Sequence, residues 1–186
     1  MIGRVIVPGI GGSDGTHWQT LWQQQWGADA VRISPGSWSQ PDLDDWVAAV
    51  DRAVHLLSPR VDRLAMVGHS LGCWAVAEWL LSAPVRVPIA AFLVAPPDLT
   101  SDVFPSEDAP TFVTLQASRL PVPSMVVAST NDPYCEPRVA EQLAAAWGSD
   151  LVRVDQAGHI NSASKLGGWP TGREALERIE NRALAA

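Results

Sequence analysis

The sequence predicts an α/β fold, a three-layer, doubly wound and mostly parallel sheet of about six strands. Two observations carry this reading. Short continuous apolar runs rich in Val or Ile recur along the chain, as expected of strands buried on both faces. Helical patterns fall between them, and strand–helix–strand alternation places helices on both faces of a parallel sheet. A chain of 186 residues with no internal repeat, low-complexity tract or linker suits a single domain spanning 1–186.

The predicted strands are Arg4–Val7, Ala30–Ser34, Leu64–Gly68, Ile89–Val94, Ser124–Ser129 and Leu151–Val154. A first helix is expected near Thr16, because Thr16-His17-Trp18-Gln19 fits a capping box. Trp18, Trp22 and Trp26 then form one stripe, expected to pack against the sheet. The second helix follows Pro41-Asp42, with Leu43, Trp46, Val47, Val50, Val54 and Leu57 at helical spacing. A third follows Ser70, and a fourth starts at Pro137, a favoured first position. The last runs from Thr171 to Leu184. The segment from Pro96 to Pro123 reads as a long loop with one short helix at Ala109–Ser118, too small for a lid domain.

Composition narrows the function. Hydrophobic content of 47% and charged content of 18% are ordinary for a soluble globular protein. A net charge of −7 with scattered basic residues argues against nucleic acid as a partner. No apolar run approaches the roughly 18 residues of a membrane span. Met1–Val7 reads as a first strand rather than a secretory signal. The two cysteines, Cys73 and Cys135, are too few for a disulfide scaffold, so a reduced, cytoplasmic setting is expected. Neither they nor the four histidines (His17, His55, His69, His159) show metal-ligand spacing, and no metal is expected. Nothing in the sequence bears on oligomeric state.

Gly68-His69-Ser70-Leu71-Gly72 reads G-x-S-x-G between a strand-like and a helix-like run. A sharp strand-to-helix turn can hold a serine hydroxyl above the sheet edge in a strained, exposed conformation. Glycines on either side suit so tight a reversal. The helix that follows aims free N–H groups at the same place.

A serine hydroxyl needs a base to take its proton and a third group to orient that base. In this architecture the order along the chain is Ser, acid, His. Asp132 follows the strand at Ser124–Ser129 and is the chosen acid, with Asp98, after the preceding strand, as the alternative. His159 follows the last strand and is the one histidine after Ser70. His69 points away from its neighbour and is expected to pack, while His55 is expected at the surface. For a developing oxyanion, the expected donors are the backbone N–H groups of Leu71 and Ile10, with Gly11 next. The glycine-rich loop Pro8–Ser13 could otherwise bind phosphate, but it lacks both the P-loop ending and G-x-G-x-x-G spacing. Neither cysteine occupies the turn position. Gly11, His17, Trp18 and Trp169 are candidate substrate-binding residues; Trp18, Trp38, Phe104, Ile160 and Trp169 equally fit the core.

With Ser70, Asp132 and His159 in this order, the chain resembles the α/β-hydrolase superfamily, and more closely the small serine hydrolases related to retinoblastoma-binding protein nine. The likeness runs nearly end to end. It includes Val7-Pro8-Gly9, His17-Trp18, Pro41 with Trp46, the Gly68–Gly72 motif, Asp132-Pro133-Tyr134 and Gly158-His159-Ile160-Asn161. Gly168-Trp169-Pro170 with Gly172 is a late segment that ordinary α/β-hydrolases lack.

The resemblance implies a minimal α/β-hydrolase without a cap and a catalytic triad of Ser70, His159 and Asp132. It also implies hydrolysis of carboxylic esters or related acyl bonds, with a small-molecule acyl substrate and no cofactor. The absence of room for a lid points to short or medium acyl groups. Thioesterase, amidase and peptidase chemistry remain open. A non-catalytic protein-binding module on the same scaffold is the alternative from another class, since fold does not fix function.

Overall fold

The computed structural model describes residues 1–82 and 87–183. Its strands are β1 (Ile2–Val7), β2 (Ala30–Arg32), β3 (Arg63–His69), β4 (Ile89–Val94), β5 (Ser124–Ser129) and β6 (Asp150–Val154). Its helices are α1 (Trp18–Trp26), α2 (Leu43–Leu57), α3 (Gly72–Ser82), α4 (Pro137–Trp147) and α5 (Pro170–Arg182). The strands form one six-stranded sheet in the order β2-β1-β3-β4-β5-β6, and every pairing is parallel.

Alternation within each strand splits the apolar residues between two cores. Leu64 and Met66 of β3, with Ala91 and Leu93 of β4, face α2, α3 and α4. Ala65 and Val67, with Phe92 and Val94, face α1 and α5. A strand buried on both faces has no polar side, and this is why the runs read as continuous. Among the described residues no helix is long and apolar enough to cross a membrane.

The chain leaves β1 toward β2 and returns to place β3 on the opposite side of β1. That reversal opens a crevice beyond the carboxyl ends of β1 and β3, the place where such sheets bind ligands. Val7 pairs with Gly68 at that end, bringing the Pro8–Ser13 loop against the turn that carries Ser70.

Three local expectations differ. α1 is capped by His17, whose ring accepts the Gln19 N–H, and not by Thr16. Thr16 is drawn off by Asp14, which accepts both its N–H and its hydroxyl at 2.7 Å. Gln19 does not close a capping box, because its amide donates to the Val67 carbonyl at 2.9 Å. Ala109–Ser118 forms no helix. Its Thr111 hydroxyl instead accepts the Leu43 N–H at the start of α2, and only isolated turns form around buried Ala109 and Phe112. The expected end of the last helix, Leu184, lies outside the described residues; α5 ends at Arg182. The Trp stripe packs as expected, with Trp18 and Trp22 fully inside the second core.

Candidate active site

Ser70 sits between β3 and α3 with φ of 53°, in the left-handed region. For a residue with a Cβ this conformation costs about 1–3 kcal/mol and persists only where its surroundings enforce it. Here the Ser70 N–H is held by the Val94 carbonyl at 2.9 Å. The glycines around it are required by crowding. A Cβ on Gly72 would collide with the carbonyl oxygens of Val7 and Pro8. A Cβ on Gly9 would lie 2.6 Å from Ser70 Cβ, so the loop after β1 reaches the serine only because Gly9 has no side chain.

The structure brings Ser70, His159 and Asp132 into one hydrogen-bonded chain. Ser70 Oγ lies 2.9 Å from His159 Nε2. His159 Nδ1 lies 2.9 Å from both carboxylate oxygens of Asp132. An acceptor carboxylate at Nδ1 places that nitrogen's proton on Nδ1, leaving Nε2 free to accept from the serine hydroxyl. Asp132 is itself fixed by the Tyr134 N–H at 2.9 Å. Its side chain is 2% exposed and that of His159 10%, so the pair works in a poorly solvated environment.

Asp98 takes no part in this chain. Its carboxylate accepts the N–H and hydroxyl of Thr100. His55 is exposed on α2. The Cys73 thiol donates to the Val94 carbonyl, and burial pushes its pKa well above the ordinary range. Burial, aided by Asp132, raises the Cys135 thiol to about 12. Neither thiol is ionised near neutral pH, so neither is a ready nucleophile.

A cavity of about 360 Å³ opens over Ser70. Ile10, His17, Leu71, Phe104 and Tyr134 are among its walls. Among the described residues, the N–H groups of Ile10 and Leu71 have no acceptor. Gly11 differs, since its N–H is already spent on the Trp38 carbonyl at 2.9 Å and it does not border the cavity.

Trp18 and Trp169 also lie outside the cavity wall. They pack together in the core with ring centroids 5.1 Å apart. Trp18 Nε1 donates to the Ile160 carbonyl at 2.8 Å, so this indole supports the loop next to His159 rather than a ligand. Trp169 leans over Gly172, where any Cβ would collide with its ring. Ile160 is fully buried and Trp38 packs on the other core.

Three histidines line up behind the serine. His17 and His69 meet edge to face with centroids 4.7 Å apart, and His69 lies 5.1 Å from His159. Burial lowers His17 to about 4, and burial together with the nearby His159 holds His69 well below its ordinary value. Both are neutral at physiological pH.

Sequence reasoning missed the residues that hold the His159 loop. Asn131 Oδ1 accepts the Gly158 N–H at 2.7 Å, and Ser129 Oγ accepts the Ala157 N–H at 2.9 Å. The available signal was their place beside Asp132 at the end of β5. Tyr134, singled out in the sequence only within the Asp132-Pro133-Tyr134 motif and with no role, packs its ring edge-on to His159 at 4.6 Å.

Among the described residues there is no group of three or more His, Cys, Asp or Glu side chains placed to hold a metal ion. A serine hydrolase family model matches residues 4–178. No curated protein matches the chain. Solved structures do. A YdeN-like hydrolase from Pectobacterium atrosepticum is 32% identical with a TM-score of 0.83, over 98% of this chain and 92% of that one. The ydeN gene product of Bacillus subtilis is 20% identical with a TM-score of 0.74, over 97% of this chain and 100% of that one. Est1E from Butyrivibrio proteoclasticus, solved with ferulic acid bound, shares the fold at 13% identity and a TM-score of 0.73, over 100% of this chain and 90% of that one. The family match across nearly the whole chain and the parallel sheet with its serine turn agree: the chain belongs to the serine hydrolase family and has the α/β-hydrolase fold.

Proposed function

We propose that the protein hydrolyses carboxylic esters of small acyl compounds through a Ser70–His159–Asp132 triad and an acyl-enzyme. The observation that carries this reading is the continuous relay of 2.9 Å contacts from Ser70 Oγ through His159 to Asp132. In the first half-reaction Ser70 Oγ attacks the acyl carbon and its proton passes to His159 Nε2. Asp132 accepts from Nδ1–H and stabilises the imidazolium. The oxygen that gains negative charge is met by the N–H groups of Leu71 and Ile10. His159 then gives its proton to the leaving alkoxide, the C–O bond breaks, and the acyl group stays on Ser70. In the second half, His159 takes a proton from water, hydroxide adds to the acyl carbon, and the free acid departs as Ser70 regains its proton. The scheme uses no cofactor and no metal.

A cavity of about 360 Å³ suits a small ester. Turnover of p-nitrophenyl esters of graded acyl length tests the reading. Wild type should cleave short and medium chains, and Ser70→Ala should reduce the rate to background. Undiminished turnover by Ser70→Ala would refute it, and a strong preference for long chains would refute the size assignment.

A further inference from the structure

Two buried polar atoms in residues bordering the Ser70 cavity have no hydrogen-bond partner among the described residues, His17 Nε2 and Ser162 Oγ. His17 is only 3% exposed. Its Nδ1 accepts the Gln19 N–H at 3.2 Å, which places the ring proton on Nε2. The ring is neutral at physiological pH because burial lowers it to about 4. His17 therefore presents a fixed, uncharged N–H donor, and a buried donor without an acceptor is unfavourable.

Asp14 borders the same side of the cavity. The hydroxyl of Thr16 lowers its carboxyl to about 2, so it is charged at any working pH. The Ser162 hydroxyl beside Asp14 adds to that lowering.

These groups sort the possible ligands. A carboxylate or phosphate would accept from His17 but be repelled by Asp14. An ammonium would suit Asp14 but has no lone pair for the His17 N–H. An alkyl group would leave the His17 Nε2–H unpaired. A hydroxyl accepts from His17 and donates to Asp14 or Ser162, so a single oxygen atom satisfies both sides. Leu71, Pro97, Phe104 and Pro105 supply an apolar stretch of the same wall, with Tyr134 and Asn161 also bordering the cavity.

We propose that the His17, Asp14 and Ser162 side of the cavity recognises a hydroxyl group, and that the substrate is an uncharged, hydroxylated ester with an apolar portion facing Phe104. This rests on the acyl-hydrolase reading above. His17 and Ser162 act on specificity.

Matched esters that differ in hydroxyls alone provide the test. Glycerol monobutyrate against propyl butyrate places the hydroxyls on the alcohol; ethyl β-hydroxybutyrate against ethyl butyrate places one on the acyl group. Wild type should favour the hydroxylated member of one pair by about ten-fold or more in kcat/KM, and that pair identifies which half of the ester carries the group. His17→Asn keeps an oxygen to cap Gln19 but lacks the Nε2–H. It and Ser162→Ala should each bring the ratio to within about two-fold of unity. Ratios near unity in both pairs for a wild type that cleaves all the esters would overturn the proposal, as would a ratio unchanged in both variants. No turnover of any ester by folded wild type, or equal turnover by Ser70→Ala, would overturn the hydrolase reading and this proposal with it.

Discussion

The Nε2–H of His69 donates to the main-chain carbonyl of His159 across 2.9 Å. The residue before Ser70 thus ties down the loop that carries the serine's hydrogen-bond partner. The carbonyl fixes the His69 proton on Nε2, and burial keeps the ring neutral.

If this bond positions His159, His69→Leu should lower kcat by about ten- to a hundred-fold with little change in KM. His69→Gln, which also carries an N–H at the ε position, should recover part of the loss. Steady-state kinetics of the two variants decide the matter; equal kcat in wild type and His69→Leu would make His69 a packing residue alone.

Asp132→Asn should favour the wrong imidazole tautomer and reduce kcat by about 10⁴-fold, the loss known for the equivalent change in a Ser-His-Asp protease. Asp98→Asn should leave kcat within about two-fold, because Asp98 bonds Thr100 and not His159. The reverse pattern would mean that Asp98 is the acid.

Gly72→Ala should destabilise the protein by about 3 kcal/mol or more, since its methyl would be driven into the backbone carbonyls of Val7 and Pro8. Gly11 has open space around its Cβ position but a φ of +79°, so Gly11→Ala should cost less, about 1–2 kcal/mol. Urea unfolding of the two variants compares them directly.

Stability should fall with acidification through the buried histidines. In the unfolded chain His17 and His69 titrate near 6.5, while the fold holds both lower. Below 6.5 the unfolded chain therefore binds protons that the folded chain refuses, and the fold weakens as pH drops toward 4. From about pH 7 to about pH 5 His17 alone should account for about 2 kcal/mol, given its value of about 4. Denaturation at the two pH values checks this, and His17→Asn should flatten the dependence.

The strands were legible because burial on both faces leaves an unbroken Val- and Ile-rich run, as in Met66-Val67 and Val126-Val127. The grouping of Ser70, Asp132 and His159 was legible because a parallel sheet delivers the ends of β3, β5 and β6 to one edge in chain order. What was not legible depended on paths that loops take. Thr16 lost its capping role to a local turn around Asp14. Trp18 and Trp169 were within sequence reach of the site, but their rings turn into the core and meet each other. The unpaired His17 Nε2 and the His69–His159 bond arise only when distant loops converge, and no spacing rule contains them.

The most direct test of the central claim is covalent labelling by a fluorophosphonate probe, wild type against Ser70→Ala. An activated Ser70 should be phosphonylated in wild type, and the label should vanish in the variant. Folded wild type that takes no label, or a variant that labels equally, would contradict the assignment of Ser70 as the nucleophile.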